Sequence, residues 1–192
     1  MKIQRTSSRL NIPPHATRVF EGIMLDVYHW KQEMFDGTTA IFEKIKRVDT
    51  INILPITKDN KIIITHQEQP GMEPFIGSVG GRIDKGEEPL DAAKRELLEE
   101  AGMVSDNWKL WMSVQPSNVM DWVIYTFIAK DCRVIQPQNL DSGEKIKLLM
   151  VSFDEYLKII LDEKYRDREL TLAFLIAKEQ GKLEEIKKLL FG

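Results

Sequence analysis

The chain has 192 residues, of which 43% are hydrophobic and 30% are charged, and its 30 acidic and 27 basic side chains leave a net charge of −3. This length and mixture are typical of one main folded, soluble domain with a real core and exclude a disordered chain, while the single cysteine excludes an intrachain disulfide. The charge offers no basic surface for a nucleic acid polymer, no apolar run approaches the ~20 residues of a membrane span, and no secretory signal begins the chain, so we expect a cytoplasmic protein.

The N-terminal part of the chain is predicted to form short strands. Residues 1–16 are predicted to form a tail, and strands are predicted over 18–27, 39–46 and 50–56, with Gly37 between the first two. The β-branched runs at 51–54 and 61–65 flank Lys58-Asp59-Asn60, which predicts a hairpin turn. The following segment, 69–86, is rich in glycine and proline and is therefore predicted to be mostly loop.

A helix is predicted from Pro89 to Ala101. Proline suits the first helical position because its missing N–H has no partner there, and Gly102 can end the helix in a left-handed conformation. Later strands are predicted over 110–114, 123–129 and 146–151, and the side chains of 123–129 are predicted to alternate between the two faces of the strand.

The C-terminal part of the chain is predicted to be helical. Ser152 and Glu155 have the spacing of a capping box, which opens a helix to about Glu163. Asp167 is predicted to cap the next helix, which runs through the periodic residues 170–177 to Gly181, and 183–190 forms another amphipathic segment. Strands followed by helices favour an α+β or a layered α/β fold.

The predicted helix at 89–101 carries an acidic flank beside its buried stripe. Helical spacing places the stripe on Leu90, Ala93, Leu97 and Ala101. It places Glu96, Glu99 and Glu100 together along one edge, where like charges destabilise a helix by a few tenths of a kcal/mol per pair. A divalent cation such as magnesium would relieve this repulsion. The alternative is a solvated acidic face that Lys94 and Arg95 neutralise.

The loop in front of this helix adds to the pattern. Gly80-Gly81 permits a close turn, and Gly86-Glu87 returns a fourth carboxylate to the start of the helix. Arg95 is therefore predicted to pair with an acidic side chain and to hold it in place.

The segment from Gly81 to Met103 resembles the Nudix box, G-x5-E-x7-R-E-U-x-E-E-x-G-U with U aliphatic, at every specified position. Those positions are Gly81, Glu87, Arg95, Glu96, Leu97, Glu99, Glu100, Gly102 and Met103. The resemblance implies a Nudix α/β/α sandwich with a mixed central sheet. It implies Mg²⁺, with Mn²⁺ as an alternative, bound by Glu96, Glu99, Glu100 and the Gly80 carbonyl. Within the box we assign catalytic roles to Glu99 and Arg95.

Outside the box the chain resembles the ADP-ribose and nucleoside diphosphate sugar pyrophosphatases. The residues that carry this likeness are Phe20-Glu21-Gly22, 53–56, 66–69, Pro116 and 169–173. The resemblance implies an antiparallel strand region at 17–48 that forms a homodimer, and a Nudix hydrolase domain at 49–192. It implies hydrolysis of the diphosphate bond of ADP-ribose or a related nucleoside diphosphate sugar, with Trp30, Glu43 and Pro116 at the substrate. Trp30 is equally well explained as a buried anchor.

Three departures leave the sugar open. Trp122 stands where many ADP-ribose hydrolases have a glutamate, and it cannot bind metal. The stretch from Gly77 to Gly81 lacks the acidic residue of the usual Glu-Leu-Pro-Ala-Gly. Phe42 precedes Glu43 where an arginine is common. Alternative functions are hydrolysis of dinucleoside polyphosphates or nucleoside triphosphates, or a non-catalytic module that binds a nucleotide.

Glu144, in the late loop 141–144, is the candidate catalytic base by resemblance. The alternative is that it is a solvent-exposed carboxylate of a turn. Cys132 is expected to be a core residue, and His29 and His66 are expected to be structural.

Overall fold

The computed structural model describes residues 3–7 and 10–192. Its elements are β1 (Thr17–Glu21), β2 (Leu25–Glu33), β3 (Thr39–Arg47), β4 (Thr50–Thr57), β5 (Ile62–Glu68), β6 (Phe75–Gly77), β7 (Val79–Arg82), α1 (Pro89–Ala101), β8 (Met103–Val104), β9 (Asn107–Val114), β10 (Met120–Asp121), β11 (Ile124–Val134), β12 (Lys145–Val151), α2 (Phe153–Ile159), α3 (Arg168–Glu179) and α4 (Leu183–Phe191). No described helix is long and apolar enough to cross a membrane.

The strands form two sheets. The smaller sheet has the order β1-β2-β3-β10, in which β1, β2 and β3 are antiparallel and β10 lies parallel to β3. The larger sheet follows the path β12-β5-β4-β11-β8, while β6, β7 and β9 pair with β5, β4 and β11. Because β4 and β11 are parallel and their other neighbours are antiparallel, this central sheet is mixed.

Helices cover both faces of the central sheet. On one face Ala93 and Leu97 of α1 pack in a cluster with Ile51 and Ile53 of β4. On the other face the C-terminal helices pack against Leu54 and Ile56, through residues that include Tyr156, Phe174 and Leu190. The predicted α/β/α sandwich with a mixed sheet and an N-terminal antiparallel region is therefore confirmed.

Several element predictions need correction. The strand predicted at 18–27 is divided, because the chain turns at Gly22, whose N–H donates to the Leu25 carbonyl. The loop predicted at 69–86 contains β6 and β7, which are too short and glycine-rich to give a strand pattern. The alternation predicted at 123–129 is not the burial pattern, since β11 is buried on both faces. The helix after Ser152 ends at Ile159.

Part of the predicted tail is docked on the protein. The Arg5 guanidinium lies 2.7 Å from Asp49 and 2.9 Å from Asp121, and Ile3 packs against the core on the α1 face. These contacts join the start of the chain to both sheets, because Asp121 belongs to β10 and Asp49 precedes β4. Residues 1, 2, 8 and 9 of the predicted tail lie outside the described residues.

Candidate active site

The helix that carries the glutamates begins and ends as predicted. Pro89 occupies the start of α1, and Gly102 adopts φ 63°, so that its N–H closes the last turn on the carbonyls of Leu97 and Leu98. A side chain at Gly102 would also collide with the Gln136 carbonyl. Both features fix where the acidic edge of α1 stands relative to the sheet.

Arg95 is the centre of a network of carboxylates. Its guanidinium donates two hydrogen bonds of 3.0 Å to Glu87, one of 2.8 Å to Glu96 and one of 3.0 Å to Glu99. A further bond of 3.0 Å reaches the Arg82 carbonyl. The predicted pairing of Arg95 is therefore confirmed, and the Arg95 hydrogen bonds hold the pKa of the Glu87 carboxyl below its usual range.

Glu100 faces inward from the same helix edge. Its carboxylate accepts a hydrogen bond of 2.8 Å from the Gly80 N–H, and the residue is only 3% exposed. Burial, together with the charges of Glu96, Glu144 and Asp167, raises the pKa of Glu100 to about 9. Burial also raises the pKa of Glu96, against the opposing effect of Arg95.

The glycines of β7 allow this close approach. A Cβ at Gly81 would collide with the Glu96 carboxylate, and a Cβ at Gly80 would collide with the Ile51 carbonyl of β4. Glycine at both positions therefore lets the β7 backbone lie between the sheet and the acidic edge.

A cleft of about 900 Å³ opens over the acidic edge. Its lining includes Gly80, Arg47, Arg82, Arg95, Glu96, Glu99, Glu100 and Glu144. Glu144 thus faces the glutamates of α1 from the opposite loop, and its charge contributes to the raised pKa of both Glu96 and Glu100. The cleft places guanidinium groups beside a carboxylate cluster, which suits an anionic substrate that binds through a cation.

The carboxylates suit magnesium by donor chemistry, although they are not arranged as a closed ligand set. Among the described residues, no three His, Cys, Asp or Glu side chains stand at metal-ligand spacing. The reason is that Arg95 bonds Glu96 and Glu99, while Glu100 is turned to the Gly80 N–H. The carboxylates supply hard oxygen donors on one cleft wall, and a divalent cation would stabilise the charged forms of Glu96 and Glu100, whose pKa values are raised by burial and neighbouring charge.

A smaller concavity adjoins the cleft at Gly80 and Gly81 and contains residues that the sequence did not bring together. It is lined by Trp122, Asp167, Phe75, Asn52 and Gln67, among others. Asp167 stands at the cap position of α3, as predicted, but its side chain makes no cap hydrogen bond. The carboxylate instead accepts a hydrogen bond of 2.6 Å from the Ser78 N–H. It therefore supplies an acidic group beside the stretch from Gly77 to Gly81, which has none of its own.

The other predicted site residues lie elsewhere in the single chain. Trp30 is 5% exposed and packs against Phe42, with its ring centroid 5.8 Å away. Glu43 is exposed on β3 and lies 2.7 Å from the His29 ring. Pro116 is exposed between β9 and β10. The structure brings none of Trp30, Glu43 and Pro116 to the lining of the cleft.

Cys132 is a core residue, as predicted. It is 6% exposed, and burial raises the pKa of its thiol to about 11. The protonated thiol is accordingly a poor nucleophile at neutral pH.

Comparison with known proteins gives consistent matches across most of the chain. Residues 46–174 match the model of the NUDIX domain. An ADP-ribose pyrophosphatase of Bacillus subtilis (strain 168) is 26% identical over 159 residues, covering 81% of this chain and 86% of the relative. A methanol dehydrogenase activator of Bacillus methanolicus is 26% identical over 160 residues, with coverage of 81% and 86%. A crystal structure of an ADP compounds hydrolase has a TM-score of 0.71 at 19% identity, covering 92% of this chain and 99% of that one, and shares the fold.

Proposed function

The chain belongs to the Nudix family, and from that premise we propose that it hydrolyses the diphosphate bond of ADP-ribose or a related nucleoside diphosphate sugar. The products would be a nucleoside monophosphate and a sugar phosphate. The observation that carries the proposal is the cleft in which the α1 glutamates face Glu144 and the guanidinium groups of Arg47 and Arg82. The substrate class is supported by the Bacillus subtilis relative, which is named an ADP-ribose pyrophosphatase.

Nudix hydrolases use divalent metal ions, and for this chain we propose Mg²⁺ held by Glu96, Glu99, Glu100 and the carbonyl of Gly80. When bound, such an ion neutralises the charge of the diphosphate and lowers the pKa of bound water. Arg95 bonds one carboxylate oxygen each of Glu96 and Glu99, which leaves the second oxygen of each for the ion. The two bonds from Arg95 to Glu87 keep the guanidinium anchored at the start of the helix.

Each neighbouring side chain has a distinct role in the proposed reaction. Arg47 and Arg82 bind the phosphate oxygens, because guanidinium groups match their charge and geometry. Glu144 takes the proton of the water that attacks one phosphorus in line with the leaving phosphate. Arg95 is a positioning residue for Glu96 and Glu99. In this proposal the box glutamates hold the metal ion, and the 141–144 loop supplies the base.

We also propose that the chain forms a homodimer through the smaller sheet. Apolar side chains are unusually exposed there: Val19 is 50% exposed, Phe20 55% and Ile41 62%. Covering them with the same sheet of a second copy would remove this surface from water. Light scattering after size exclusion should give twice the chain mass for the wild type and a shift towards the chain mass for Ile41→Glu. A monomeric wild type would contradict the dimer.

The hydrolysis is tested by product analysis. Purified protein with ADP-ribose and Mg²⁺ should release AMP and ribose 5-phosphate, identified by mass, and a metal chelator should stop the release. A panel of nucleoside diphosphate sugars, dinucleoside polyphosphates and nucleoside triphosphates would identify the preferred class. Tight binding of ADP-ribose with no product after long incubation with metal would show that the chain is a binding module and not an enzyme.

A further inference from the structure

The smaller concavity is a continuation of the proposed catalytic cleft. It has a volume of about 230 Å³ and shares Arg47, Gly80, Gly81 and Arg82 with the larger cleft. Pockets that take a drug-sized ligand usually begin near ~300 Å³, so this space suits a single ring of the substrate rather than a whole nucleotide. A diphosphate bound between Arg47, Arg82 and the glutamates would place one of its two ends here.

The aromatic walls of the concavity are held in place by polar contacts. The Trp122 indole N–H donates to the Thr50 hydroxyl at 3.1 Å, and the Arg47 guanidinium lies 4.3 Å from the centre of the ring. Phe75 has the Arg166 guanidinium at 4.1 Å from its ring centre. Because each ring already stacks a guanidinium, both rings act as fixed walls rather than as a free pair of stacking faces.

The polar lining includes the Asp167 carboxylate. Its Oδ2 accepts the 2.6 Å bond from the Ser78 N–H and would lie 3.6 Å from a Cβ at position 77. The carboxylate, which comes from the start of α3, therefore lies at ordinary van der Waals distance from position 77. The amides of Asn52 and Gln67 also line the space, and each amide can both donate and accept hydrogen bonds.

We propose that Asp167 and Trp122 form the subsite for the terminal sugar of the substrate, with Asp167 accepting a hydrogen bond from a sugar hydroxyl. A carboxyl oxygen accepts hydrogen bonds, as Oδ2 does from the Ser78 N–H, and a sugar hydroxyl is a suitable donor. Sugar hydroxyls also satisfy the neighbouring amides, because they donate and accept. The inference rests on the proposed function, and it assigns the sugar end, rather than the base, to this concavity.

A structural role for Asp167 must be separated from sugar recognition. The bond to Ser78 alone would support the turn between β6 and β7 and, through it, the whole cleft. Loss of that support would affect every substrate alike. Loss of a hydroxyl contact would affect only substrates that carry the sugar.

The test therefore compares two substrates that differ only at the sugar. Steady-state kinetics are measured with ADP-ribose and with the β-methyl ester of ADP for the wild type, Asp167→Asn and Asp154→Asn. Asparagine keeps an acceptor for the Ser78 N–H, and Asp154 is a matched, exposed aspartate in the first turn of α2. Asp167→Asn should lower kcat/KM for ADP-ribose about 10- to 100-fold and leave the methyl ester within about 2-fold. Equal losses on both substrates, or no loss on either, would overturn the subsite.

Failure of the proposed function gives a different result. In that case the wild type would hydrolyse neither ADP-ribose nor the methyl ester. The same proteins are then titrated with ribose 5-phosphate in a calorimeter, with thermal unfolding as the check of folding. Weaker binding by Asp167→Asn than by the wild type and Asp154→Asn would support the subsite. Equal binding, or no binding by the wild type, would overturn it.

Discussion

The two walls of the cleft differ in how the chain builds them. The acidic wall comes from one continuous segment, Gly81 to Met103, in which helical spacing alone puts Glu96, Glu99 and Glu100 on one edge. The second wall, which lines the smaller concavity that continues the cleft, combines Arg47 at the end of β3, Trp122 before β11 and Asp167 before α3. The geometry of a wall made by one helix is determined by the local sequence, whereas the geometry of a wall made by separate segments depends on the whole fold.

This contrast implies a division of labour. A locally encoded wall keeps its geometry while the rest of the sequence changes, which suits groups that must meet a metal and a diphosphate at fixed positions. A wall assembled from loops and element ends can change one side chain at a time, which suits recognition of a variable group. Variants of the acidic wall should therefore lower kcat, and variants of the assembled wall should raise KM.

The largest effect is expected for Glu100→Gln. The substitution keeps an acceptor for the Gly80 N–H but removes the negative charge of a proposed metal ligand. We expect kcat to fall on the order of 10³-fold, since an electrostatic group at the reacting centre acts mainly in the transition state. Steady-state kinetics with ADP-ribose and titrated Mg²⁺ measure this change. Full activity of the variant would remove Glu100 from the metal site and break the contrast between the walls.

The next effect is expected for Glu144→Gln, because a general base contributes about 10²-fold or more to the rate. The matched control is Asp141→Asn, an exposed carboxylate of the same loop that also lines the cleft. Single-turnover rates with saturating ADP-ribose compare the two. Equal losses in both variants would assign the loop a general electrostatic role, and the base would have to be sought elsewhere.

The same contrast explains what could be predicted from sequence. The bounds of α1, the pairing of Arg95 and the inward edge of glutamates follow from local rules, namely Pro89, Gly102 and the helical period. The strands β6 and β7 could not be predicted, because β7 is held by β4, about thirty residues earlier in the chain. Glycine-rich segments of a few residues become strands through their partners and carry no pattern of their own.

Asp167 is the clearest case of a position predicted correctly with the wrong contact. Local rules place an aspartate before a helix as its cap. Here the carboxylate instead bonds the Ser78 N–H, which is 89 residues away in the chain. Trp122 is similar, since its surroundings depend on Arg47 and Thr50 from the β3–β4 region. Tertiary contacts of this kind leave no signal in a single sequence.

A smaller effect is expected for Trp122→Phe, which removes the indole N–H bond to Thr50 and shortens the wall. We expect KM for ADP-ribose to rise about fivefold with little change in kcat. Trp30→Phe is the matched control, since Trp30 is buried in the smaller sheet of the single chain. Should Trp30→Phe raise KM as much, the predicted stacking role of Trp30 would be supported, and the assembled wall would extend to the dimer partner.

The smallest effect is expected for Ser152→Ala, which provides the baseline for both walls. Ser152 and Glu155 form the capping box of α2, with bonds of 3.3 Å to the Glu155 N–H and 2.7 Å back to the Ser152 N–H. Its loss should lower the free energy of unfolding by ~1 kcal/mol, measured by urea denaturation. Because α2 packs on the face of the sheet away from α1, kcat and KM should stay at the wild-type values. A change in either constant would mean that a loss of overall stability by itself alters catalysis. The effects measured at Glu144, Trp122 and Asp167 would then have to be corrected for that loss.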